Sequence, residues 1–440
     1  NLTMMYGLPA LTVPQEIKSD LSPWKPSPEV IEVNKDAVMW AVDGKDDRSV
    51  AFAARLLEQN IQVRIVDKDS VLSGHNLSRG SVTVIAMDNP NSADLHEIIN
   101  TVATDLNMSV VSIESGFGPK ELPDWGGRHF RLLKKPQIAI LSHSGFSSYD
   151  VGVSWWSLDH NLGIRHSQLN SSLTGYGDLR RYNTIILPSG SPDLSNYAKD
   201  ILMDWVQQGG TLIANNRSTR SIISNDIGSV KNLNNTFDKS KNFNFDLMRE
   251  IYSKEEFIDI SDANVNKVNT EITYPWETSD ITYSKEELEM RDKWQSTLMP
   301  SGGIVSARID NEHWLTFGAE DVVPVLYGNY PILMTGGNSE AALRIGELLP
   351  NKESETKTIN WSQIPSGYDL SVRMSGLVWP EASQRIANSA YLTREKIGKG
   401  QIILFSGEPN FRGSALGTNR LWLNAVVYGS GLGTNSLVTP

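Results

Sequence analysis

Trp205-Val206-Gln207-Gln208-Gly209-Gly210-Thr211-Leu212-Ile213-Ala214 closes one element and opens another within ten residues. Apolar residues before Gln207 recur at helical spacing, the Gly209-Gly210 pair stops a helix, and the run that follows is continuously apolar and β-rich. Such a run suits a strand covered on both faces, the condition of a parallel sheet between two helical layers. Gln137-Ile138-Ala139-Ile140-Leu141, Thr184-Ile185-Ile186-Leu187 and Gly400-Gln401-Ile402-Ile403-Leu404-Phe405-Ser406 read the same way. Helices are expected over Asp150–Leu162, Asn196–Gln208, Ser339–Leu348 and Thr418–Tyr428, and further strands over Gly303–Arg308 and Ile332–Thr335. Residues 130–214 and 301–430 therefore read as a doubly wound α/β domain with a parallel sheet, interrupted by a polar insertion over 215–300 that ends in a charged helix over Ser284–Gln295.

Upstream, the apolar run Ala37–Val42, a helix over Ser49–Gln59, strands Ile61–Val66 and Ser81–Ala86, a helix over Ser92–Leu106 and a strand Ser109–Ile113 give the order βαββαβ. That order predicts a small α/β domain over 36–115, bounded by the Gly/Pro-rich stretch Gly116–Gly127. Residues 1–35, punctuated by Pro9, Pro14, Pro23, Pro26 and Pro28, read as a linker arriving from something upstream.

Composition narrows the chemistry. The 440 residues carry 40 basic and 51 acidic side chains, a net charge of −11, which argues against nucleic acid or an anionic membrane surface as the main partner. There is no cysteine, so thiol nucleophiles, disulfides and Cys-ligated metals are excluded. No run is long and apolar enough to read as a membrane span. None of the seven histidines, His75, His96, His129, His143, His160, His166 and His313, begins an H-x-x-E or H-E-x-x-H pattern, so no metal ligand set is expected in this chain. No phosphate-binding glycine loop follows a strand. A serine triad from Ser144 or Ser189 with His143 and Asp150 lacks the G-x-S-x-G turn that would present its nucleophile.

In an open α/β sheet ligands bind beyond the carboxyl ends of the strands. The tips here are His143-Ser144-Gly145-Phe146, Pro188-Ser189-Gly190-Ser191, Asn215-Asn216-Arg217 and Gly407-Glu408-Pro409-Asn410-Phe411-Arg412. They predict one polar crevice holding Ser144, Ser189, Asn215, Asn216, Glu408, Asn410 and Arg412, with a Glu408–Arg412 ion pair fixing its wall. The bland reading of the same residues is that strand-to-helix turns need caps and positive-φ positions.

Gln137–Leu141, Tyr182–Pro188 and Trp205–Ala214, together with His313-Trp314-Leu315-Thr316-Phe317-Gly318, Ser375-Gly376-Leu377-Val378-Trp379-Pro380-Glu381 and, most specifically, Gly400–Gly413 followed by Asn419-Arg420-Leu421-Trp422-Leu423-Asn424-Ala425, resemble one family. It is the glutamine-amidotransferase-like region at the C-terminal end of large secreted bacterial zinc carboxypeptidases, and the likeness runs from about Ala37 to Tyr428. It implies a class I glutamine-amidotransferase-like, flavodoxin-like fold in a secreted or periplasmic protein. It also implies an upstream peptidase domain as partner, with zinc held only there and no cofactor in this chain. Where that fold places its nucleophilic Cys this chain has Asn215-Asn216, and where a His-x-Glu pair would follow the last strand it has Gly407-Glu408-Pro409. An amide cannot serve as a thiolate, so the expected function is non-catalytic: docking on, or guiding peptide to, the upstream peptidase. The alternative is an independent peptide- or glycan-binding module.

Overall fold

The computed structural model describes residues 2–8, 10, 13–16, 22, 33–170, 178–192, 195–233, 285–359 and 362–434. Most of the expected linker, and the greater part of the polar stretch before residue 285, lie outside them.

Two sheets carry the architecture, and the smaller has five strands. β1 (Met39–Val42) leads through α1 (Ser49–Glu58) to β2 (Arg64–Val66). A short hairpin, Ser70–Leu72 with His75–Leu77, precedes β3 (Val82–Ile85), and α2 (Leu95–Asp105) then leads to β4 (Val111–Ile113) and β5 (Phe130–Leu132). The order across the sheet is β4-β1-β3-β2-β5 with every neighbouring pair antiparallel. β1 and β2, joined by a helix, thus run parallel with β3 between them, and β3 and β4 run parallel around β1. The hairpin and the edge strand β5 are additional to the six elements read from the sequence.

In the larger sheet, β6 (Ile138–Ser142), β7 (His166–Asn170), β8 (Thr184–Leu187), β9 (Thr211–Asn215) and β14 (Gly400–Phe405) form a parallel half. β10 (Gly303–Ile309), β11 (Val322–Tyr327), β12 (Ser339–Ile345) and β13 (Ala390–Ile397) form an antiparallel half, giving the order β11-β10-β12-β13-β14-β9-β8-β6-β7. The strands at Ile138, Ile185, Leu212 and Ile403 pair in parallel as expected, within a sheet that is mixed as a whole. Ser339–Leu348, read as a helix for its Ala, Leu and Glu content, is corrected: Ser339–Ile345 is a strand hydrogen-bonded between β10 and β13. Ala342, Leu343 and Ile345 are buried there, and cross-strand packing outweighs helix propensity.

Alternation along the parallel strands assigns two helical layers. Ile138, Ile140, Ile186, Ile213 and Ile403 pack with Leu421, Trp422, Ala425 and Val426 of α6 (Leu416–Tyr428). Ala139, Leu141, Ile185, Leu212, Ala214 and Leu404 pack with Leu202, Trp205 and Val206 of α4 (Asn196–Gln207) and Ile222 and Ile223 of α5 (Arg217–Ser224). Strands buried on both faces need no polar side, which is why their sequence is continuously apolar.

The smaller sheet shares the first of these cores, since Val42, Phe52 and Leu56 belong to it. Arg420 of α6, 3% exposed, locks the join: it donates to the carbonyls of Gly44 (2.8 Å) and Asp46 (3.0 Å) and to Ser49 Oγ (3.2 Å). Asn424, one turn on, donates to the carbonyls of Leu315 and Phe317.

Candidate functional site

The adjacent parallel strands β14, β9, β8 and β6 end on the same edge, and their tips enclose a crevice of about 470 Å³. Its wall includes Phe146, Asp150, Ser189, Asn216, Arg217 and Glu408. Gly190 permits the closure: a Cβ there would stand 2.3 Å from the Gly145 carbonyl oxygen and 2.7 Å from Phe146 Cα.

Asn216 sits between β9 and α5 with φ 45° and ψ −107°, a backbone conformation that L-residues seldom adopt. The surroundings hold it there. Its backbone N–H donates to the Phe405 carbonyl (3.1 Å), and Thr219 Oγ1 donates to the carbonyls of Ala214 (2.9 Å) and Phe405 (2.8 Å). A strained residue on a strand–turn–helix above a parallel sheet is the geometry that presents a nucleophile in hydrolytic α/β folds. Here the presented group is an amide, and Asn216 Nδ2 donates to Glu408 Oε1 at 2.8 Å.

Glu408 also hydrogen-bonds Ser189 and Asp150. Asp150 lies in the first turn of α3 (Ser148–Trp156), where its backbone N–H donates to the N-cap Ser147 Oγ (3.4 Å). Burial pushes both carboxyl groups above their ordinary range; for Glu408 the charge of Asp150 adds to the effect, and for Asp150 its hydrogen bonds and Arg217 oppose it. The two carboxyl groups interact directly and titrate as a pair, so their protons belong to the pair and not to either residue. The site thus holds two carboxyl groups, the Asn216 amide, the serines Ser147, Ser189 and Ser191, and the cation Arg217.

Of the residues predicted for the crevice, Ser189, Asn216 and Glu408 are brought together in its wall. Asn215 is buried behind them, its Oδ1 without a hydrogen-bond partner among the described residues. Asn410 is also buried and donates to Ser157 Oγ (3.4 Å), bracing the turn from beneath. Ser144 is exposed at the β6 tip and outside the wall.

Arg412 is corrected outright. It is exposed at φ 51°, and its guanidinium lies over the Phe411 ring, 5.1 Å from the centroid. No Glu408–Arg412 ion pair forms among the described residues. The left-handed turn at Arg412 swings its side chain away, and the partner that holds Glu408 is Asn216. A serine triad does not assemble either, since Ser142 Oγ lies 2.8 Å from His143 Nδ1 while Ser189 is engaged by Glu408.

Asp150 and Arg217 enter the site although the sequence singled out neither for it. The signal for Asp150 was Ser147-Ser148-Tyr149-Asp150, an S-x-x-D helix start directly after the β6 tip. Beyond the Gly407–Phe411 turn lies a second cavity of about 550 Å³, its wall including Met299, Leu326, Tyr330 and Phe411. Tyr330 packs on Gly407, where a Cβ would stand 2.7 Å from its ring, and burial followed by the charges of Glu408 and Asp150 raises its hydroxyl's pKa. Among the described residues no group of three or more His, Cys, Asp or Glu is placed to hold a metal ion, and no helix is long and apolar enough to cross a membrane.

No family model and no curated protein matches the chain. Solved structures similar to it include a ThuA-like protein from Bacteroides uniformis, at 12% identity and TM-score 0.32 over 66% of this chain and 89% of that one. A cytoplasmic protein from Salmonella typhimurium LT2 is similar at 12% identity and TM-score 0.31, over 66% of this chain and 98% of that one. A β-galactosidase from Bacillus circulans is similar at 11% identity and TM-score 0.32, covering 75% of this chain, which spans 35% of that enzyme. None of these three descriptions names a peptidase.

Proposed function

We propose that this chain is a non-catalytic, ligand-binding module of glutamine-amidotransferase-like fold, and that its ligand occupies the strand-tip crevice. The observation that carries this reading is Asn216: the strained strand–helix position that suits a nucleophile bears an amide committed to Glu408. An amide nitrogen is a poor nucleophile because its lone pair is delocalised into the carbonyl, so the elbow serves to present hydrogen-bonding groups. The resemblance at Gly407–Gly413 supports a wider role as an accessory region of a secreted or periplasmic carboxypeptidase-like protein. On that reading zinc belongs to a peptidase domain elsewhere in the same polypeptide, and this region docks on it or supplies it with substrate.

The test is hydrolysis. Purified chain incubated with model peptides carrying free C-termini, and separately with glutamine, is expected to release neither amino acid nor ammonia. Release of C-terminal residues that a chelator abolishes would overturn the reading.

A further inference from the structure

The groups around Glu408 have a chemistry that selects among ligands. Two carboxyl groups, Asp150 and Glu408, line the crevice, and the cation Arg217 lines it beside them. A ligand carboxylate would meet the two carboxyl groups, and a ligand ammonium would meet Arg217.

The positive ends of two helices, α3 and α5, point at it, and both are already answered: Asp150 sits in the first turn of α3, and Glu408 accepts from the residue that begins α5. A bound anion would have to displace these carboxyl groups. What the wall offers instead is carboxyl and hydroxyl oxygens that accept from and donate to O–H groups, interleaved with half-buried aromatic rings. Phe146 lies in the crevice wall, Tyr330 and Phe411 in that of the cavity beyond the turn. Rings beside carboxyl groups suit a molecule with hydroxyls around its edge and C–H bonds on its faces. The two spaces, about 470 and 550 Å³, are lined by residues of the same Gly407–Phe411 turn, Glu408 in the first and Phe411 in the second.

We infer that the ligand is a neutral oligosaccharide that lies across Glu408, its hydroxyls on Asp150, Glu408 and Ser189 and its apolar faces on Phe146 and Tyr330. The inference rests on the crevice being a binding site, as proposed above, and chooses the ligand class.

Saturation-transfer NMR and calorimetry against one panel separate the two claims. The panel holds neutral di- to tetrasaccharides of hexoses and pentoses, uronic-acid oligosaccharides, and short peptides with free termini. The expected result is saturable binding of at least one neutral oligosaccharide, weakened about tenfold or more by Glu408→Gln and by Phe146→Ala, each confirmed as folded by its melting transition. The Phe146 variant leaves the hydrogen-bonded cluster intact and guards against loss of fold at Glu408. Binding of peptides alone, sensitive to Glu408→Gln, would overturn the inference and leave the binding reading standing. Neutral saccharide binding that neither variant weakens would place the ligand elsewhere and overturn the inference. Binding by no member of the panel would overturn both.

Discussion

Asn216 Nδ2 donates to Glu408 Oε1 at 2.8 Å, tying two strand tips that lie 192 positions apart in the chain. Two quantities meet at this contact: the hydrogen bond, and the strain of holding Asn216 at φ 45°. Asn216→Ala removes the donor and keeps the strain, and is expected to cost about 1–3 kcal/mol. Asn216→Gly removes both, and should be the more stable of the two by about 1 kcal/mol. Urea melts of the three proteins check the order, and equal stability of the Ala and Gly variants would contradict the strain.

The carboxyl pair makes stability depend on pH in a defined direction. Asp150 and Glu408 have pKa values raised above their ordinary 3.8 and 4.5, so the native state holds protons that the unfolded chain releases. Their contribution is fully present below the unfolded values and is lost as pH rises through the folded ones. Asp150→Asn removes the repulsion between the two charges. The stability of this variant relative to the parent is expected to rise from pH 4 to pH 8, and a difference constant with pH would count against the pair.

Arg420 is expected to hold the smaller sheet to the larger. Its buried guanidinium serves the carbonyls of Gly44 and Asp46 and the hydroxyl of Ser49, while its ionic partner Asp47 is 68% exposed and contributes little. Arg420→Ala strands these acceptors and should destabilise by roughly 2–4 kcal/mol. Asp47→Ala should cost below about 0.5 kcal/mol. Comparable losses from the two would show that the ion pair, and not the carbonyl contacts, makes the join.

Arg412→Ala should be nearly silent, within about 0.5 kcal/mol, because the side chain is exposed and lies over the Phe411 ring. A loss of several kcal/mol would restore the bracing role that the spacing of Glu408 and Arg412 suggested.

The parallel half of the larger sheet was legible because each of its central strands is buried on both faces, leaving an unbroken apolar run at Ile138, Ile185, Leu212 and Ile403. The antiparallel half was not. Ser339–Ile345 is rich in helix formers and owes its strand state to β10 and β13, partners distant in sequence. At the site, strand tips identified Ser189, Asn216 and Glu408, since topology alone carries tips to one edge. Side-chain direction lay beyond that argument: a positive φ turned Arg412 out, and helix α3, not a tip, carried Asp150 in.

The crevice is proposed to bind a ligand without transforming it, and a pair of carboxyl groups is also what a glycoside-cleaving site would use. Overnight incubation with the saccharide and peptide panel, followed by mass spectrometry of the small-molecule fraction, addresses this directly. The predicted result is an unchanged panel at concentrations where binding is saturated. New products that disappear with Glu408→Gln would contradict the account and make Glu408 a catalytic residue.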